Sequence, residues 1–318
     1  MSGLVQRRGP AGTAARRRRL LAHAVWLAVT ASVTGCAANT DGGPRAEIVV
    51  TTNILGDVVN ELAGDVAQVT TLMKPNADPH SFEISAQEAA QLADADLVVS
   101  NGSGLEAGVE QHLEAAAAQG APRFVAGTHI DALSYTGEAS GPDPHFWTDP
   151  ARMLDVVDAL EERLREIDAI DAAAVTQNAV DYRVELEALE TEMTAAFATI
   201  PDGRRALVTN HHVFGYLAER FDFEVIGAAV PGGTTLASPS AADLAELTDA
   251  IEEHDVPAIF AESSQPDRLM QVLSSEAGIE VNVIELFTES LTAPGDAADT
   301  YLAMMRENTS RITTGLTP

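Results

Sequence analysis

Residues 171–200 read DAAAVTQNAVDYRVELEALETEMTAAFATI, in which Tyr182, Leu186, Leu189, Met193 and Phe197 recur at the spacing of one buried helical stripe. At 1.5 Å per residue such a helix is about 45 Å long, enough to run the length of a molecule of this size. Pro201-Asp202-Gly203 ends it. What lies on either side of it has the same character. Before it, Ile48–Thr52, Val66–Met73, Leu97–Ser100 and Arg123–Ala126 read as strands. They are separated by helices over Ile54–Leu62, Ala86–Leu92 and Leu105–Ala118, and a further helix from Asp149-Pro150 to Ile167 precedes the long one. After it come strands Arg205–Asn210, Glu224–Ala229, Ala258–Ala261 and Glu280–Ile284. The helices here are Val213–Phe221, Ala241–His254, Pro266–Ala277 and a terminal one over Ala297–Asn308. Strands alternating with helices predict an α/β fold whose sheets are mainly parallel with crossover connections. The expected architecture is two lobes joined by one long helix. A packed helix resists large rotation and leaves mainly small shear or loop movement.

In open parallel sheets, ligands sit beyond the carboxyl ends of the strands. Two motifs stand in such loops: Asp78-Pro79-His80-Ser81-Phe82-Glu83 and Asp143-Pro144-His145-Phe146-Trp147-Thr148-Asp149-Pro150. Each sets a histidine directly after a proline, whose fixed φ stiffens the loop and gives the imidazole a set direction. A further imidazole comes from Asn210-His211-His212-Val213-Phe214, and a carboxylate from Phe287-Thr288-Glu289-Ser290-Leu291. Three nitrogens and one oxygen from distant loops form a set that zinc accepts. No short local metal signature of the His-Glu-x-x-His or Cys-x-x-Cys kind is present.

The order of these pieces carries a resemblance. Thr51-Thr52-Asn53-Ile54-Leu55-Gly56-Asp57, then Asp78-Pro79-His80, Ala93–Val99 and Asn101–Glu106, are followed by Asp143–Pro150, His211–Tyr216, Ala258–Ser263 and Leu286–Leu291. Over roughly Glu47 to Asn308 the chain resembles the metal-binding solute-binding lipoproteins of bacterial zinc and manganese ABC importers, of the cluster A-I, zinc type. The resemblance implies His80 and His145 from the first lobe and His211 and Glu289 from the second as ligands of one divalent ion. Family members often have aspartate where this chain has Glu289. It also implies that His212, beside His211, is not a ligand and stands behind the ligands or is exposed; Glu262 is the best candidate behind them, because metal-bound imidazoles donate their other N–H to a carboxylate or carbonyl. Asp78 and Asp143 either serve the same purpose or shape their turns. Phe146 and Trp147 are read as walls that exclude water. His112, His129 and His254 are read as non-ligands.

A three-histidine set favours zinc over manganese, which prefers more oxygens. The expected function is therefore extracytoplasmic zinc binding and delivery to a membrane ABC permease, with no enzymatic activity. Release is expected when docking disturbs the second-lobe ligands, and affinity is expected to fall as pH drops through about 6.5. Three alternatives remain: a manganese-binding member, a metal-binding surface adhesin, and a zinc hydrolase in which Glu289 is a base beside a metal-bound water.

The N-terminus sets the location. Residues 1–35 carry six arginines and no acid, then an apolar run from Leu20 to Val33, the layout of a secretory signal too short to span a bilayer comfortably. The arginine cluster leaves the general and the twin-arginine export routes both open. Val33-Thr34-Gly35-Cys36 looks like a lipobox in which Cys36 is lipidated; as the only cysteine, Cys36 forms no internal disulfide. The expected division is a signal over 1–35, a lipidated tether over 36–46, a first lobe over 47–170, the linking helix over 171–200 and a second lobe over 201–318. Removing the signal arginines takes the formal charge from −29 to −35. Such a surface repels nucleic acid and anionic membranes. The expected product is a monomer held at the membrane, or in the periplasm, by its lipid alone.

Overall fold

A strand followed by an amphipathic helix is the repeating unit. The computed structural model describes residues 45–135, 141–230, 232–276 and 282–318. The signal, the lipobox with Cys36 and all but the last two residues of the tether lie outside the described residues. In the first lobe, β1 (Ala46–Val50), β2 (Ala67–Thr71), β3 (Leu97–Ser100) and β4 (Arg123–Val125) form one sheet in the order β2-β1-β3-β4. All its pairings are parallel. Helices α1 (Asn53–Ala63), α2 (Ala86–Asp94) and α3 (Glu110–Ala118) make the crossovers. Ser85 and Glu88 form a reciprocal capping box at the start of α2, satisfying two otherwise orphaned backbone N–H groups.

Two further helices close this half. Helix α4 (Pro150–Arg165) starts with Asp149 as its cap and Pro150 at its first position. Helix α5 (Ala172–Phe197) is the linking helix, and Asp171 caps it by accepting from Ala173 N and Ala174 N. Its buried face carries Val175, Ala179, Tyr182, Leu186, Leu189, Met193 and Phe197, so the stripe legible in the sequence is the packed one. That face lies against α1, α4 and the terminal helix α9 (Tyr301–Leu316) and belongs to the core cluster that runs through both lobes.

The second lobe repeats the alternation with β5 (Ala206–Thr209), α6 (Gly215–Phe221), β6 (Glu224–Ala228), α7 (Ala241–Glu253), β7 (Ala258–Glu262), α8 (Arg268–Glu276) and β8 (Asn282–Leu286). Here β5 pairs with β6 and β7 with β8, again in parallel. The two ladders meet where the Asn210 side chain, just past β5, accepts from Glu262 N at the end of β7. Among the described residues no helix is long and apolar enough to cross a membrane.

Several boundaries shift by a few residues from the sequence reading, and those at α3, β8 and α9 follow from tertiary contacts. Helix α3 starts at Glu110, not at Leu105. Gly102, Ser103 and Gly104 all take positive φ, which no helix tolerates, and the turn they form lets the buried Glu106 carboxylate accept from Asn101 N, Gly102 N and Thr51 Oγ1. Strand β8 continues to Leu286, past the expected end at Ile284, in a register that sets Leu286 opposite Glu262. Helix α9 starts at Tyr301, four residues after the expected Ala297, with Thr300 as its cap, and continues to Leu316, past the expected end at Asn308. The run Thr309-Ser310-Arg311-Ile312-Thr313-Thr314 has poor helix propensity, but Thr309, Ile312 and Leu316 are buried, and packing outweighs propensity.

Candidate metal centre

The two Asp-Pro-His motifs fold alike. Asp78 Oδ1 accepts from His80 N at 2.9 Å, and Asp143 Oδ1 accepts from His145 N at 2.9 Å, so each aspartate closes the turn that presents its histidine. His80 lies beyond the end of β2 and His145 in the segment after β4. His211 follows β5 directly, and Glu289 follows β8. All four stand at the carboxyl-terminal side of their sheets, as the topology requires.

The structure brings these four side chains together. One ligand atom from each of His80, His145, His211 and Glu289 lies within 4.8 Å of all the others, and all four residues are buried. His145 Nε2 is 3.4 Å from His80 Nε2 and 3.3 Å from His211 Nε2. The Glu289 oxygens stand 3.4 Å from His145 Nε2, 3.5 Å from His211 Nε2 and 3.7 Å from His80 Nε2. A tetrahedral ion with bonds of about 2.0–2.1 Å has ligands about 3.3–3.4 Å apart. The five separations given, with Oε1 of Glu289 facing His145 and His211 and Oε2 facing His80, lie within about 0.4 Å of that edge, and the whole set lies within 4.8 Å. Neither carboxylate oxygen of Glu289 has a hydrogen-bond partner, although both are buried. Buried carboxylates without partners are costly, and a divalent cation at the centre of the four groups removes the cost.

Behind the four groups the partners differ. Glu262 Oε1 contacts His211 Nδ1 and also accepts from His211 N. Asp143 Oδ1 lies 2.7 Å from His145 Nδ1, so this aspartate both shapes its turn and fixes the ring. Asp78 does not do the same for His80; its Oδ2 accepts from Ser81 Oγ, Thr235 Oγ1 and Gln265 Nε2, tying the first lobe to the second. His212 makes a backbone hydrogen bond to Gly232 O, and its half-buried side chain lines a cleft with Leu133, Tyr135 and Phe214. Trp147 packs edge-on to His145, with centroids 5.3 Å apart, and Phe146 packs against Trp147. His129 stacks on Phe124, and His254 is the C-cap of α7.

Sequence reasoning missed Tyr135. Its hydroxyl stands 3.1 Å from His145 Nδ1 and 3.4 Å from Gly233 O, and a Cβ added to Gly233 would fall 2.1 Å from its ring. No motif surrounds Tyr135, so its role is visible only once the chain has folded.

The electrostatics divide the histidines into two kinds. Burial, reinforced by the neighbouring imidazoles, pushes the pKa of His80 down to about 2, and burial also lowers that of His145 against the pull of Asp143. Both rings are therefore neutral and ready to bind. For His211, burial opposes the charge, but the Glu262 carboxylate, with Glu289 and Asp78 beyond it, outweighs burial and raises its pKa to about 9. Burial raises Glu289 well above the usual carboxyl range, with the charge of His211 opposing. In the metal-free protein the His211 proton must therefore leave before Nε2 binds an ion, which moves the expected pH threshold up from about 6.5. With a pKa of about 9, affinity should rise roughly tenfold per unit between pH 7 and 9 for that one proton. Calorimetry in buffers of different ionisation enthalpy checks this; at pH 7.5 it should show net proton release on binding, and affinity that stays flat from pH 7 to 9 contradicts it.

Comparison with known proteins points the same way. The profile of the family described as "ZnuA: Zinc-uptake complex component A periplasmic" matches residues 48–315. The chain is 29% identical over 305 residues to the manganese-binding lipoprotein MntA of Bacillus subtilis, an alignment covering 91% of this chain and 97% of that protein. It is 29% identical over 280 residues to the zinc-binding protein TroA of Treponema pallidum, covering 87% and 90%. The solved structure of the periplasmic zinc-binding protein TroA superposes with a TM-score of 0.80, covering 86% of this chain and 100% of that one.

Proposed function

Because this chain belongs to the periplasmic zinc-uptake complex component A family, we propose that it captures zinc outside the cytoplasm and delivers it to a membrane ABC permease. The observation that carries this reading is the buried set His80, His145, His211 and Glu289, whose candidate ligand atoms lie within 4.8 Å of one another. Zinc is the cargo and the four residues are its ligands. Glu262 and Asp143 hold the rings of His211 and His145 in the tautomers that leave each Nε2 free for the ion.

In this reading, residues 1–35 direct export, lipidated Cys36 tethers a monomeric protein to the membrane, and the first and second lobes run over 47–170 and 201–318 with 171–200 linking them. The names of relatives favour a second reading. Two relatives are named manganese-binding lipoproteins. Ligand chemistry speaks for zinc, since three imidazoles and one carboxylate are a softer set than the oxygen-rich shell manganese prefers. A hydrolase needs an open position for water, and four protein donors around one ion leave none.

Metal content tests the cargo. Protein without a His tag, purified from cells grown with both metals available, should carry zinc at one ion per chain, a stricter test than equal free concentrations in vitro, where zinc outranks manganese at nearly any site. Retention of manganese under those conditions contradicts the zinc assignment while leaving the site intact.

A further inference from the structure

Glu289 belongs by sequence to the second lobe, yet the loop that carries it is hung on the first. Asn53, at the start of α1, donates from Nδ2 to Ser290 Oγ at 2.8 Å and accepts at Oδ1 from Leu291 N at 3.0 Å. Asn76 N donates to Leu291 O at 2.9 Å, and Trp147 Nε1 donates to Thr288 O at 2.8 Å. Both residues flanking Glu289 are thus held by first-lobe groups. Glu289 itself has no hydrogen bond on either carboxylate oxygen, so nothing aims its side chain except the backbone on which it rides.

From this geometry we infer that Asn53 is a positioning residue for metal binding, setting the place of the Glu289 carboxylate through Ser290 and Leu291. The inference deepens the reading of the cluster as a zinc site and rests on it. Asn53 is suited to the task because one amide both donates and accepts, engaging two consecutive residues at once. It is 8% exposed, and its partners lie 237 and 238 positions away in the chain. A consequence is that Glu289, although it follows β8, is fixed through its two neighbours by groups of the first lobe, as His80 and His145 are by their own turns, while His211 is held from β5 and Glu262.

The test uses Asn53→Ala, Asn53→Asp, Glu289→Ala and the double variant Asn53→Ala/Glu289→Ala in the full mature chain. Zinc affinity is read by chelator competition, and the visible absorption of the cobalt-substituted protein reports the ligand set. Asn53→Ala should weaken zinc binding about 10- to 100-fold, the usual effect of losing a residue that orients a ligand. It should also move the cobalt spectrum toward that of Glu289→Ala. Asn53→Asp keeps an acceptor for Leu291 N and lets Ser290 Oγ donate, so it should recover most of the affinity. In the double variant the loss should not exceed that of Glu289→Ala alone.

Wild-type affinity and spectrum in Asn53→Ala, with only a lowered melting temperature, would overturn the inference and leave the site reading standing, provided Glu289→Ala is impaired. Fully additive losses would overturn it as well. Wild-type binding by Glu289→Ala would instead remove the ligand assignment and this inference with it. Should Asn53→Ala fail to fold, Ser290→Ala removes one of the two contacts; a several-fold loss supports the inference, and unchanged binding overturns it.

Discussion

Replacing His145 with alanine should weaken zinc binding by roughly a hundred- to a thousandfold. This ring is the hub of the cluster: its Nε2 lies within 3.4 Å of His80 Nε2, His211 Nε2 and Glu289 Oε1. Four-ligand zinc sites bind with about 10–16 kcal/mol, so one ligand's share is about 3–4 kcal/mol, which corresponds to that range of affinity. The substitution also leaves Asp143 Oδ1 with only the backbone N–H of residue 145, since it loses the imidazole that now stands 2.7 Å from it. Titration against a chelator of known affinity measures the effect. A loss below about fivefold would show that His145 does not touch the ion.

Zinc should also stabilise the folded chain strongly. Without metal, the site holds a buried carboxyl group with no hydrogen-bond partner, and a His211 whose raised pKa depends on Glu262. Ligand that binds only the folded state at a thousand times its dissociation constant adds about 4 kcal/mol. For a chain of this size each kcal/mol moves the melting temperature by about 2–4 °C, so saturating zinc should raise it by roughly 8–16 °C. The Glu289→Gln variant is expected to lose most of that rise, while its metal-free form melts no lower than the wild-type metal-free form. Identical melting curves for wild type with and without zinc would contradict the account. The link to pH has a definite sign. His211 stabilises the metal-free fold below its unfolded value near 6.5, and that contribution fades as pH rises through about 9.

Much of this was legible before folding. The α/β alternation and the stripe from Tyr182 to Phe197 follow from local periodicity, which survives in the structure because helices and strands bury one face. His80 and His145 announced themselves because an Asp-Pro-His turn is a local device, closed by an aspartate two residues away. Contacts between residues far apart left no such trace. Asn53 reads as an ordinary residue in the first turn of a helix until Ser290 and Leu291 arrive from the other end of the chain. Tyr135 acquires meaning only when Gly233 and His145 close around it. The late start of α3 has the same origin, since the partners of Glu106 include Thr51, 55 positions earlier. Asp78 was expected either to serve the ring of His80 or to shape its turn; it shapes the turn and reaches Thr235 and Gln265 across the lobes.

The central claim is that four side chains from loops far apart in the sequence hold one ion. The most direct measurement is anomalous diffraction at the zinc edge from crystals of the zinc-loaded protein. The account predicts a single strong peak about 2.0–2.2 Å from Nε2 of His80, His145 and His211 and from a carboxylate oxygen of Glu289. A peak elsewhere on the chain, or one more than about 3 Å from any of the three imidazoles, would contradict it.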